Sequence, residues 1–408
     1  MTARRDRRRR AALIGFVVGL ASLVVIAGLG VVGVRSLLNS SSGQTAEAGA
    51  TTPVQRFPYS PTGLIGVTDD DGVLTSVAVL VVEPDGTGGT IVSMAASADA
   101  GSGTTGELQP VNAELAMGGP EAFSEGVERL TGLSFDVVEL VAASRLADLL
   151  DPLGDVTAEL GTSVYDASSG EEWEAGTALL APDEAARLLA ARVPGQPDWF
   201  MEPSRSAVWT AVADRVGAGI GSAEAVGEGE AVPPAGSLDV LVDRLFADRV
   251  EHRPLPFAPI DQERLAAELA PEVATAMVEF AGEGGVEVVA HDRAETQFVL
   301  ASVVPSRLGA PLEAANVRIE VGLSDEVLGD AGTTRADVGI EAVEVALSAG
   351  LNVVSVLDES PQEATASTLV EVADAAALED SWDVFPGLFG DVEIVVAEIR
   401  VDGVDAVV

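Results

Sequence analysis

Cysteine is absent from the 408 residues, which removes disulfides, thiolate metal sites, iron–sulfur clusters and a cysteine nucleophile together. Lysine is absent as well, since all 23 basic residues are arginine. A P-loop, a lysine Schiff base and a lysine general base are therefore excluded. Aromatic side chains are scarce, 17 in all, so any core is built mainly from Ala, Val and Leu, an aliphatic α/β composition. Chemistry has to rest on Arg, Asp, Glu, Ser or Tyr.

Positive charge is scarce too, and unevenly placed. The net charge is -42, but residues 1–35 hold seven arginines and one acid, leaving 16 arginines against 64 acids and a charge of -48 on the remaining 373 residues. A body of that charge repels phosphate backbones, which excludes nucleic acid as a partner and means that an anionic ligand needs a local arginine cluster. At roughly 100–200 residues per domain the length suggests two or three domains.

One long hydrophobic run is present. Six arginines (Arg4, Arg5, Arg7, Arg8, Arg9, Arg10) precede Ala11–Val34, 24 residues without a charge until Arg35. As a helix it reaches ~36 Å, enough for a hydrocarbon core of about 30 Å. The arginines lead the run, so the N-terminus (1–10) is expected in the cytoplasm and everything after 34 outside it, with the lipid bilayer as a partner. Ala46-Glu47-Ala48 offers a signal-peptidase pattern, but it sits far beyond the run, and the run is longer than a signal segment of 7–15 residues.

Residues 35–58 are rich in Ser, Ala, Thr and Gly and read as a stalk. Strands are expected at Gly63–Val67, Val73–Val82 and Thr90–Met94, punctuated by Asp69-Asp70-Asp71-Gly72 and Pro84-Asp85-Gly86. Helix Gly119–Leu130, strand Phe135–Val141, helix Ser144–Leu150 and a helix from Pro182 to about Val193 follow. A Gly-rich segment at 217–236 reads as an exposed insertion, with helices resuming at Ser237–Val250 and Asp261–Phe280. A smaller unit at 312–408 is expected to fold by itself: strand Val317–Gly322, helix Arg335–Ala349 with an apolar stripe (Val338, Ala342, Val345, Ala346, Ala349), and strands Asn352–Leu357, Thr368–Val372, Val392–Arg400 and Gly403–Val408. The fold class is α/β, an α/β/α sandwich over 59–310 followed by a smaller α/β domain.

Several blocks resemble one family. Val77–Pro84 with Thr90–Met94, Val111-Asn112-Ala113 with Met117-Gly118-Gly119-Pro120, Leu130-Thr131-Gly132-Leu133, Leu149–Gly154 and Ala178–Arg192 are similar to successive motifs of the LytR–CpsA–Psr proteins of bacterial envelopes. Residues 317–408 resemble the accessory domain that follows in that family, chiefly through Glu341–Gly350 and Leu351–Val354. The resemblance implies a membrane-anchored domain that moves an anionic glycopolymer from a polyprenyl diphosphate to peptidoglycan, using arginines to hold the diphosphate and acids to hold magnesium. Here Met94-Ala95-Ala96-Ser97 stands where the family has Ile-Pro-Arg-Asp, Thr75 where it has an Asp, and Ala190 where it has the first Arg of Arg-x-Arg. Arg192 matches the second, and Arg205 is a looser match to a later arginine.

The candidate phosphate-binding residues are accordingly Arg192 and Arg205, with surface ion pairs as the competing reading. Val77, Val79, Val81, Leu146, Leu149 and Leu150 are candidates to line a polyprenyl pocket, or else ordinary core. Asp69, Asp70, Asp71 and Asp99 suit a tight turn as well as a cation. His252 and His291 lack metal-ligand spacing, Ser93 and Ser97 lack a hydrolase motif, and no histidine is expected near them. Three readings follow. In the first the chain has lost transferase chemistry and acts in envelope assembly by binding or scaffolding, with envelope proteins or a polyprenyl-linked glycopolymer as partners and no cofactor. In the second it is an active phosphotransferase that uses magnesium, with a clamp rebuilt from Arg192 and Arg205, joined by Arg129 or Arg145. In the third it binds a polyprenyl lipid without catalysis.

Overall fold

Residues 54–55, 59–101, 107–166, 169–193, 195–227, 231–281, 287–304, 315–357, 368–373 and 385–408 are described in a computed structural model of the chain. The expected tail (1–10) and membrane segment (11–34) lie outside these residues. Among the described residues no helix is long and apolar enough to cross a membrane.

Five strands form the central sheet: β1 (Thr62–Thr68), β2 (Leu74–Val82), β3 (Gly89–Ala95), β4 (Val137–Ala142) and, from much later in the chain, β5 (Val250–Pro254). Their order is β5-β3-β2-β1-β4, with β2 antiparallel to both β1 and β3 and both edge strands parallel to their neighbours. All nine residues of β2 are buried, as expected of a central strand covered on both faces. Gly89 opens β3 at φ 141°, where an added Cβ would lie 2.0 Å from the Val81 carbonyl oxygen, so the tight entry into β3 requires glycine.

Strand alternation sends neighbouring side chains to opposite faces. Val77, Val79, Val81, Val92 and Met94 join one core cluster with Val111, Phe123 and Val127 of helix α1 (Val111–Thr131). Ala78, Leu80, Val82 and Ile91 join another, covered by α2 (Ala143–Leu150), α3 (Pro182–Ala190), α4 (Glu202–Val216) and α5 (Leu238–Leu245). The result is the expected α/β/α sandwich.

The differences from expectation have local causes. Helix α1 starts at Val111 rather than Gly119, and it is two helical pieces joined where Gly119 adopts φ 74° ahead of Pro120. The expected helix 237–250 ends at Leu245, and Val250 instead begins the edge strand, pairing with Gly89. The expected helix 261–280 is broken into Gln262–Glu268 and Pro271–Ala281, because Pro271 has no N–H to continue the first. Helix α4 and two small antiparallel pairs, Val156–Leu160 with Gly176–Leu180 and Val164–Asp166 with Glu171–Trp173, were not foreseen. The described residues of 217–236 form neither helix nor strand.

Toward the C-terminus, β6 (Asn316–Glu320), β7 (Asn352–Leu357), β8 (Thr368–Val372), β9 (Val392–Val396) and β10 (Ala406–Val407) make a second sheet in the order β7-β6-β10-β8-β9. Its core takes Ala294, Phe298 and Ala301 from the unforeseen helix α6 (Arg293–Val303), ahead of residue 312. Leu300, on the same helix, belongs to the core of the central sheet. Helix α7 (Arg335–Ser348) starts at a capping box of Thr334 and Asp337. Of the apolar stripe expected on it, Ala346 is buried, Val338, Ala342 and Val345 are half-buried and Ala349 is exposed, while Gly339 and Val343, outside that stripe, are buried. The cause is α6, since a Cβ on Gly339 would lie 2.4 Å from the Phe298 ring. Separately, Val54–Gln55, inside the expected stalk, pairs in parallel with Arg400–Val401.

Candidate functional site

Three of the blocks singled out by resemblance meet where β3 ends, β2 begins and α3 ends. Asn112 N–H donates to the Ala96 carbonyl at 2.9 Å, which joins the Met94–Ser97 block to the Asn112 block. Ser76 pairs with Ala95 across the sheet. The Thr75 hydroxyl lies 3.1 Å from the carbonyl oxygens of both Val67 and Leu189, so the position expected to carry an acid is tied to the last turn of α3, beside Ala190. Thr75, Ala95, Ala96, Ser97 and Ala190 are all buried and uncharged.

Both candidate arginines reach this region already paired with acids of the same chain. Arg192 Nε lies 2.7 Å from Asp69 Oδ2, with Nη2 3.6 Å from Asp71. Asp69 Oδ1 meanwhile accepts the N–H groups of Asp71 and Val73, the geometry of a tight Asx turn. Arg205 is 1% exposed and is bound by Asp198 Oδ1 at 2.9 Å, Glu202 Oε1 at 2.8 Å and the Ala191 carbonyl at 3.0 Å. It ties the start of α4 to the end of α3. Burial raises the Glu202 carboxyl to about 7, and it raises Glu287 as well, with Asp198 adding to that shift. Arg205 is thus buried and already held by Asp198, Glu202 and a backbone carbonyl, so a phosphate would have to displace them.

The other candidates are distributed as follows. Arg129 pairs with Glu114 at 2.6 Å, and Arg145 bridges Glu139 and Asp239 at 3.1 and 2.8 Å. Asp99 Oδ1 accepts the N–H groups of Gly101 and Gln109. Among the described residues no three of His, Asp and Glu are grouped as ligands for a metal ion. The acids named here hold turns and arginines. The six aliphatic residues are not brought together: Val77, Val79 and Val81 pack on the face of α1, Leu146, Leu149 and Leu150 on the opposite face. They cannot form one wall, because the sheet stands between them.

One constellation escaped sequence reasoning. The expectation of no histidine near Ser93 is overturned, because β5 pairs with β3 and sets His252 Nε2 2.8 Å from Ser93 Oγ. His252 Nδ1 lies 2.9 Å from Thr210 Oγ1 of α4, whose hydroxyl is 2.9 Å from the Ser206 carbonyl one turn back. The threonine's single proton goes to that carbonyl, so its oxygen accepts from Nδ1–H, and Nε2 is left to accept from Ser93. Burial pushes His252 down to about 4, which keeps the ring neutral. No sequence signal precedes this pairing, since 159 residues separate the two. His291 differs in that its Nδ1 binds the Pro256 carbonyl at 2.6 Å, and burial lowers it as well.

No family model and no curated protein matches the chain. Among solved structures it is similar to the Lin1025 protein from Listeria innocua (17% identity, 59% of this chain and 96% of that one, TM-score 0.35). It is also similar to B. subtilis TagV (12%, 60% and 95%, 0.39) and to TagT bound to LIIa-WTA (15%, 63% and 96%, 0.38). At these identities and scores the likeness assigns neither site nor activity.

Proposed function

We propose that this chain is a membrane-anchored protein of cell-envelope glycopolymer assembly that works by binding or scaffolding and has lost phosphoryl transfer. One observation carries the reading: where the Met94–Ser97, Asn112 and Ala178–Arg192 blocks meet, Thr75, Ala95, Ala96 and Ala190 carry no charge, and Arg192 and Arg205 are paired with Asp69, Asp198 and Glu202. Phosphoryl transfer gives a protein little to do beyond positioning and neutralising charge, so removal of the charges removes the catalysis. The partners on this reading are envelope proteins or a polyprenyl-linked glycopolymer. The anchor is the apolar run 11–34, which supports a cytoplasmic N-terminus and an external body.

The test is transfer of a labelled, polyprenyl-diphosphate-linked sugar to peptidoglycan by the full chain with magnesium. No turnover is expected. Robust turnover that disappears in Arg192→Ala would overturn the reading in favour of an active transferase. In parallel, protease added to intact spheroplasts should degrade the body; a full-length chain protected until lysis rejects the external placement.

A further inference from the structure

We propose that Ser93 is a nucleophile activated by His252, able to take an acyl group from small carboxylic esters. This is a separate chemistry that does not depend on the envelope reading above. A serine hydroxyl attacks only when a base takes its proton, and a histidine serves when one nitrogen faces the hydroxyl and the other is held by a third group. All three parts are present. Ser93 Oγ and His252 Nε2 are 2.8 Å apart, and Thr210 holds Nδ1 at 2.9 Å while giving its own proton to the Ser206 carbonyl. The imidazole is thereby fixed in the tautomer with a bare nitrogen toward serine.

The three residues come from three elements: Ser93 from β3, His252 from the edge strand β5 and Thr210 from α4. Thr210 is exposed and His252 partly so, which places the approach along the seam between α4 and the sheet edge. Ser93 itself is 5% exposed, so the acyl group has to be short. In the step, Ser93 Oγ attacks the ester carbonyl carbon as its proton moves to His252 Nε2. The adduct then collapses: the bond to the leaving alcohol breaks, and that alcohol takes the proton from His252. Water attacks the Ser93 ester in the same way, releasing the acid and restoring the serine. Thr210 touches no reacting atom and is a positioning residue.

The full chain is treated with a small alkyl fluorophosphonate, which loses fluoride to a basic serine oxygen, and with p-nitrophenyl acetate; adducts are located by peptide mass mapping. One adduct on the Ser93 peptide is expected, absent in Ser93→Ala and formed ~100-fold more slowly or worse in His252→Gln, the size of a general-base contribution. Thr210→Val should slow labelling and Thr210→Ser restore it, a rescue that a purely structural hydroxyl would not show in a labelling rate. A folded wild-type chain without an adduct at Ser93 overturns the proposal, and so does a folded His252→Gln that labels at the wild-type rate. If His252→Gln does not fold, Thr210→Val decides, and equal labelling by that variant overturns it.

Discussion

Asp69 Oδ2 stands 2.7 Å from Arg192 Nε, so a turn acid and an arginine that sequence analysis considered for different ligands are each other's partners. The same pattern recurs at Arg205, with a large difference in burial. Arg192 keeps 31% of its side chain exposed, and Arg205 keeps 1%.

That difference sets the first prediction. Exposed pairs contribute about 0–1 kcal/mol, so Arg192→Ala should cost less than ~1 kcal/mol of unfolding free energy. Removing one member of a buried pair strands a charge in the interior, so Arg205→Met should cost roughly 3–5 kcal/mol. Urea unfolding of the two variants measures both. Equal costs would show that Arg205 does not hold α4 to α3.

A second prediction concerns acid. Burial lowers His252 from the ordinary 6.5 of a free imidazole to about 4. A lowered value means that the stability linked to it is fully present above 6.5 and is lost as pH falls through 4. The loss is roughly 2–3 kcal/mol after allowance for partial exposure. Glu202 and Glu287 act in the opposite sense, because raised carboxyls favour the folded state at low pH and lose that contribution as pH rises, for Glu202 through about 7. Both carboxyls remain in His252→Gln, so the difference between variant and wild type isolates the histidine. The variant should be less stable at pH 7 yet lose less between pH 6.5 and 4, read as thermal midpoints across that range. Parallel curves would exclude a buried neutral His252.

A third concerns the boundary before the second sheet. Ala294, Phe298 and Ala301 of α6 fill its core, and the Gln297 amide donates to the Val353 carbonyl at 2.6 Å. Residues 312–408 expressed alone would leave Val317, Val343 and Val353 uncovered, whereas residues 292–408 keep the covering helix. The longer piece should give a dispersed amide spectrum and the shorter one should not. Gly339→Ala in the full chain should cost about 1–3 kcal/mol through overpacking against Phe298, and less in a Phe298→Leu background. A dispersed spectrum from 312–408 would support the boundary expected from sequence and show that α6 is dispensable to this core.

Local pattern carried much of the architecture. Strand β7 runs over Asn352–Leu357 and β8 over Thr368–Val372, the spans expected, because a run of β-branched residues between turn signals determines its own conformation. Helix α4 was missed for the converse reason. Nine of its fifteen residues are buried, Glu202, Ser204 and Arg205 among them, so it has no simple polar face for periodicity to detect.

The sequence by itself determined the composition of the core, the class of the fold, the candidate membrane segment and the absence of charge at Thr75, Ala95, Ala96 and Ala190, because each of these is a property of residues near one another in the chain. Tertiary structure decided which charges meet. It closed Arg192 onto Asp69 and Arg205 onto Asp198 and Glu202, divided the six aliphatic candidates between two faces of one sheet, and carried His252 across 159 residues to Ser93. Strand pairing between β3 and β5 depends on backbone hydrogen bonds that any residue can make, so no local pattern announces which side chains it will set side by side.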